Sequence, residues 1–211
     1  MNRQHGMIER YKALDRINHW ITALGFVLLA LSGLALFHPS LFWLNQFFGG
    51  GTWMRILHPF VGVLFFLSFA GLVWRFWSHN LISRADVQWL KRIGDVIVNR
   101  EDRLPQVDRY NAGQKMLFWT LLLVVPGLLV SGVVIWRPWF APLFSIEIIR
   151  LAALLHAFAA FVMIVAITVH IYAAFWVSGT MGAMIRGKVS RAWAARHHGA
   201  WYARILRGED H

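Results

Sequence analysis

The run 149-IRLAALLHAFAAFVMIVAITVHIYAAFWV-177 decides how the rest of the chain is read. Between Arg150 and Arg186 there is no Asp, Glu, Lys or Arg, so the run is long enough to cross a hydrocarbon core of roughly 30 Å. Two histidines interrupt it, His156 and His170. At about 100° and 1.5 Å per residue they return to within about 40° of one helix face, about 21 Å apart along the axis. One helix therefore carries two imidazoles on one face, one near each membrane surface, an arrangement that suits two stacked metal centres.

Composition agrees with a membrane protein. Of 211 residues 58% are hydrophobic, with 12 Trp and 16 Phe, more apolar surface than a soluble domain of this length needs. The absence of cysteine excludes disulfides, iron–sulfur clusters and thiolate zinc sites within the chain. The net charge of +11 would raise nucleic acid as a partner for a soluble protein. Here the basic residues lie between and beyond apolar runs, so they read as topology signals and lipid contacts, and no nucleic-acid partner is expected. The N-terminal MNRQHGMIERYKALDR has no short apolar region followed by a small-residue cleavage site, so the first apolar run is read as a retained span.

Four spans are expected, at about 17–37, 57–74, 116–136 and 149–177, the second the shortest and the fourth the longest. No internal repeat is expected. Basic residues crowd the N-terminus, the 78–114 loop and the C-terminal tail, while Arg55, Arg137 and Arg150 alone are assigned to the two opposite loops. That bias places both termini in the cytoplasm. Trp and Tyr near the span ends read as an interfacial belt. The tail 180–211 mixes basic and apolar residues and reads as short amphipathic helices on anionic headgroups. The expected organisation is a transmembrane domain over 1–179 and a basic cytoplasmic tail over 180–211.

Of ten histidines, His5, His38, His79, His197, His198 and His211 fall in loops, tails or span ends, where a solvated or interfacial role is the default. His19, His58, His156 and His170 lie inside apolar runs, where a polar group must face the interior and find a partner. Taken singly, an interhelical hydrogen bond explains any of them as well. Depth separates the readings. The first span runs outward, so His19 is inner. The second starts outside, and His58 before Pro59 suits a first helical turn. The fourth also starts outside, so the four sort into two pairs, His58 with His156 and His19 with His170.

Facing imidazoles with no carboxylate in the spans suit haem iron with both axial positions filled, a centre that passes electrons and has no open position for oxygen. Zinc and di-iron sites need further ligands. Arg16, Arg55 and Arg150 have the depth to meet haem propionates, and equally to snorkel. At the cytoplasmic start of the third span Asn111, Gln114 and Lys115 are polar and Gly113 allows close backbone approach; the Asn and Gln amides with a backbone N–H suit a quinone headgroup, and helix capping by Asn111 is the plainer alternative.

DRINHW at 15–20, RILHPFVG at 55–62, RYNAGQKMLFW at 109–119, GVVIWRPWF at 132–140, LLHAFA at 154–159, VHIYAAFWVSG at 169–179 and GKVSRAWAARHHGAWY at 187–202 together resemble the cytochrome b (gamma) subunit of respiratory formate dehydrogenase, over nearly the whole chain. The resemblance implies an all-α membrane protein, a four-helix bundle enclosing two b haems in a bacterial inner membrane. It implies His58 and His156 on the outer haem, His19 and His170 on the inner one, and Asn111, Gly113 and Gln114 at a quinone site beside His170. Asn18 departs from the cysteine of close relatives, which touches no ligand. The resemblance also implies an iron–sulfur (beta) subunit and a molybdenum or tungsten catalytic (alpha) subunit as partners. Electrons would run inward to menaquinone or ubiquinone in anaerobic respiration, and formate itself would never touch this chain. The competing expectations are the cytochrome b subunit of a nickel–iron hydrogenase or thiosulfate reductase, and a haem-free membrane anchor or transporter.

Overall fold

The protein is described here by a computed structural model, which covers residues 6–98, 100, 103–137 and 139–209; His5 and His211 lie outside the described residues. Four helices are long and apolar enough to cross a membrane: α1 (Ala13–Phe37), α2 (Gly51–Phe76), α5 (Ala112–Ile135) and α6 (Ile146–Trp176). Between α2 and α5 lie α3 (Arg84–Lys91) and α4 (Ile93–Ile97). After α6 come α7 (Thr180–Arg186), α8 (Arg191–His197) and α9 (Gly199–Arg207).

The four expected spans are all present, with two corrections. The second is not the shortest, since α2 has 26 residues against 24 in α5. It starts six residues before Leu57, so Pro59 lies inside the helix rather than in its first turn. Pro59 has no N–H for the Arg55 carbonyl, a loss that membrane helices tolerate where local adjustment re-satisfies the freed group. Arg55 and Arg150 also belong to α2 and α6, not to loops; both are exposed, and their long stems let a charge at a helix end reach water.

The chain divides into two compact units, residues 17–74 with 120–169, and residues 6–16, 75–119 and 170–209. In the first, all four long helices contribute to one core of Phe65, Phe69, Val125 and Met163, with Phe26, Leu29, Leu121 and Ile167 against it. Leu151, Leu154, Leu155, Phe158, Phe161 and Val165 of α6 are exposed, as a lipid-facing stripe requires. A 3-10 helix over Pro39–Phe48 caps α1 and packs Leu44 on Ala35 and Met54. His38, expected to be merely interfacial, is its N-cap: Nδ1 accepts from the Ser40 N–H at 3.2 Å.

The second unit holds what the sequence reading missed. Strand β1 (Met7–Glu9) pairs antiparallel with β2 (Lys188–Ser190), tying the N-terminus to the tail. Gly187 makes the turn before β2 at φ +79°, and a Cβ there would stand 2.7 Å from the Tyr11 carbonyl oxygen. The tail does form short helices, and it also has a core of its own: Ala183, Val189, Ala194 and Trp201 are buried together. Arg10 is 2% exposed, with its guanidinium 4.7 Å from the Trp201 ring and 5.1 Å from that of Trp193.

His198 corrects the solvated default: it is 3% exposed. Its Nδ1–H donates to the Asp108 carbonyl at 2.7 Å and its Nε2 accepts from Arg10 at 3.2 Å, so the ring is neutral. Burial, then the Arg10 charge, push its pKa down from 6.5 to about 3. The unfolded chain therefore binds more protons below pH 6.5, and stability falls as pH drops from 6.5 toward 3. Unfolding followed against pH is expected to show that slope, smaller in His198→Asn; a slope unchanged in the variant would contradict this burial.

Arg10-Tyr11, Trp20 and Ser32-Gly33 recur 99 positions later as Arg109-Tyr110, Trp119 and Ser131-Gly132, and His58 recurs 98 later as His156. Structure shows the correspondence twice. Arg10 donates to the Arg109 carbonyl, and Arg109 donates back to that of Arg10. The second instance is the paired histidines.

Candidate functional site

His58 from α2 and His156 from α6 meet inside the helical core unit, ring centroids 6.3 Å apart and planes at 65°. Both are half-buried, while Leu57, Phe60, Leu155 and Phe158 beside them are exposed. The imidazoles thus turn inward where their apolar neighbours turn out, the orientation that a polar side chain at this depth demands. Their Nδ1 atoms lie 2.7 Å from Ser32 Oγ and 3.1 Å from Ser131 Oγ. Glycine follows each serine: a Cβ on Gly33 would stand 3.5 Å from His58 Cε1, and one on Gly132 3.2 Å from His156 Cε1.

Two imidazoles on opposite sides of one metal, with metal–nitrogen bonds of about 2 Å and ring centres about 1 Å behind the nitrogens, have centroids roughly 6 Å apart. The observed spacing matches that, and Nδ1 of each ring is engaged, leaving Nε2 for iron. Among the described residues no group of three or more His, Cys, Asp or Glu is assembled for a metal ion. The residues therefore fit a haem with two axial histidines and not a zinc or di-iron site.

His19 and His170 belong to different units, α1 in one case and the last two turns of α6 in the other. Both are half-buried within apolar helices. Around His19 a polar cluster binds α1 to α2: Asn18 Nδ2 donates to the Ser68 carbonyl at 3.0 Å, and Ser68 Oγ to Asn18 Oδ1 at 2.7 Å. Thr22 Oγ1 lies 2.7 Å from Ser68 Oγ. A Cβ on Gly71 would stand 3.0 Å from Asn18 Nδ2, so the glycine admits this contact.

The start of α5 carries a reciprocal cap. Gln114 N–H donates to Asn111 Oδ1 at 2.9 Å, and Asn111 N–H to Gln114 Oε1 at 3.0 Å. Both amide oxygens are used, and the two NH2 groups, the donors a quinone carbonyl needs, stand outside the cap. Gly113 lets the backbone pack on Trp89, whose ring would lie 3.4 Å from a Cβ there. Lys115 is not a free polar group: it is 6% exposed, donating to Asp86 Oδ2 at 2.7 Å and to the Leu81 carbonyl at 2.9 Å. Trp119 Nε1 donates to the Asn80 carbonyl at 3.0 Å. Asp86 was not singled out from sequence; the only hint is its place in Ser83-x-x-Asp86, a helix-capping spacing.

Residues 10–187 match the family model of prokaryotic cytochrome b561. The chain belongs to that family. Among cytochrome b relatives, it is 54% identical to the cytochrome b556(Fdo) subunit of formate dehydrogenase from Escherichia coli K12, over 94% of this chain and 93% of the relative. It is 45% identical to the nitrate-inducible cytochrome b556(Fdn) subunit of the same organism, over 96% and 94%. The cytochrome b556 subunit of formate dehydrogenase from Haemophilus influenzae is 40% identical over 92% and 82%. A cytochrome b561 with four apolar helices is a multi-pass haem protein of the bacterial inner membrane, and its haem is of the b type.

Proposed function

We propose that this chain is the membrane subunit of a formate dehydrogenase, moving electrons from an iron–sulfur subunit at the outer face to a quinone reduced near the cytoplasmic face. The observation that carries the reading is the His58–His156 pair, two inward imidazoles at the separation a shared iron needs. Haem b supplies the one-electron chemistry when bound. His58 and His156 hold the outer haem, His19 and His170 the inner one, and the termini and the 78–114 loop are cytoplasmic. Residues 1–179 form the dihaem domain and 180–211 the basic tail. The partners are the iron–sulfur subunit, a molybdenum or tungsten catalytic subunit and anionic lipid. Lengthwise identity to three formate dehydrogenase subunits supports formate as the electron source. The test is formate added to membranes bearing the complex: b-type bands are reduced. Reduction by hydrogen but not by formate would overturn the assignment.

Asn111, Gly113 and Gln114 form the quinone site. The Asn111 and Gln114 NH2 groups donate to the headgroup, while their oxygens hold the helix start in place. Gln114→Leu removes a donor and half of the cap. It is expected to slow quinol formation at least tenfold with haem content unchanged, at a stability cost of about 1 kcal/mol. Steady-state quinone reduction and the visible spectrum check it; full quinone turnover in the variant would contradict the placement.

A further inference from the structure

We infer that Ser32 and Ser131 are positioning residues for the outer haem, each holding its histidine with the ring proton on Nδ1 and thereby setting the haem potential. The inference rests on the axial role proposed for His58 and His156.

Each hydroxyl has one proton and uses it along its own helix. Ser32 Oγ donates to the Leu28 carbonyl at 2.7 Å, and Ser131 Oγ to the Gly127 carbonyl at 2.6 Å. What remains toward the imidazole is an oxygen lone pair. His58 Nδ1, at 2.7 Å, and His156 Nδ1, at 3.1 Å, must then donate, and each Nε2 keeps the lone pair that binds iron. Both serines are buried, at 2% and 7% exposure, so a serine oxygen faces each Nδ1–H, and beside His156 the Leu128 carbonyl is a second acceptor.

The arrangement occurs twice: Ser-Gly on one helix, histidine near the outer end of the next. Gly132 leaves the His156 ring room to lie against the helix, since a Cβ there would stand 3.2 Å from it, while one on Gly33 would make ordinary contact with His58 at 3.5 Å. A hydrogen bond from Nδ1 makes the imidazole a more basic ligand and so favours ferric iron. Removing the hydroxyl takes that away and leaves Nδ1–H without its acceptor in a low-dielectric interior. The ferrous form gains.

Redox titration of the intact complex, followed at the b-haem absorption bands, is the test. In Ser32→Ala the ferric–ferrous balance of one haem should shift about tenfold toward ferrous, about 59 mV for a one-electron couple. Ser131→Ala should shift the same haem in the same direction by less, its contact being longer and the Leu128 carbonyl remaining beside His156. The other haem stays in place. Ser→Thr keeps a hydroxyl that bonds the same helix carbonyl and restores the potential at Ser131, the less enclosed site. Unmoved potentials in both alanine variants, or a shift that threonine does not reverse, would overturn the inference. His58→Leu and His156→Leu keep that failure separate from failure of the axial assignment: if they lose no haem, the ligand reading itself is wrong.

Discussion

Replacing His156 by leucine is expected to leave one haem b per chain of the two that the proposed reading assigns to the unaltered protein. His58→Leu should give the same product, because either substitution leaves a single imidazole where two faced each other at 6.3 Å. Leucine fits the volume, so the helices still pack on the core of Phe65, Phe69, Val125 and Met163. On the proposed path the retained haem would be the inner one, and it should no longer be reduced by formate once the outer step is removed. Haem content and the reduced-minus-oxidised spectrum of the purified variants check this. Two haems with unaltered bands in either variant would contradict the pairing.

The second large effect is at the start of α5. Lys115→Met is expected to cost about 3–5 kcal/mol, because it strands Asp86 as a buried carboxylate. The two side chains are 8% and 5% exposed and 2.7 Å apart. The double variant Lys115→Met, Asp86→Leu should recover most of the loss, since neither charge is then buried alone. Hydrogen exchange at Ala112–Trp119 and the unfolding midpoint measure both. A single variant costing under about 1 kcal/mol would contradict a buried pair.

Acid should act on the same contact. Burial alone would raise the Asp86 pKa, but hydrogen bonds from Lys115 and Ser83 outweigh it and hold the carboxyl below its ordinary 3.8. A depressed carboxylate contributes stability that is complete above 3.8 and lost as pH falls through the folded-state value. This window lies at the acid end of the one set by His198, so acid weakens the tail cluster first and the start of α5 afterwards.

What the sequence disclosed follows from the range of the forces involved. Span positions were legible because a charge-free run of membrane length has few other uses, and α6 extends only a few residues beyond the expected run. The inward histidines were legible for a related reason: apolar surroundings make an imidazole conspicuous, and depth alone sorted His58 with His156.

Long-range polar contacts were hidden. His198 meets Asp108 across 90 residues and Arg10 across 188, and Lys115 meets Asp86 across 29. No local pattern announces such partners, so His198 reads as solvated and Lys115 as a polar group at the start of the third span. The helix start of α2 was misplaced because Pro59 resembles a first-turn proline when the preceding Gly51–Ile56 is taken for loop. The recurrence at about 99 positions touches few residues among interchangeable apolar ones. It becomes visible only when Ser32 and Ser131 are found doing the same thing to two histidines.

The most direct test of the account is the ratio of haem b to polypeptide in the purified, unaltered protein, taken from the pyridine haemochrome spectrum and quantitative amino-acid analysis. The proposed assignment of His58 with His156 and of His19 with His170 predicts two haems per chain. A ratio of one would break the inner pairing of His19 with His170, and a ratio of zero would remove the electron path altogether.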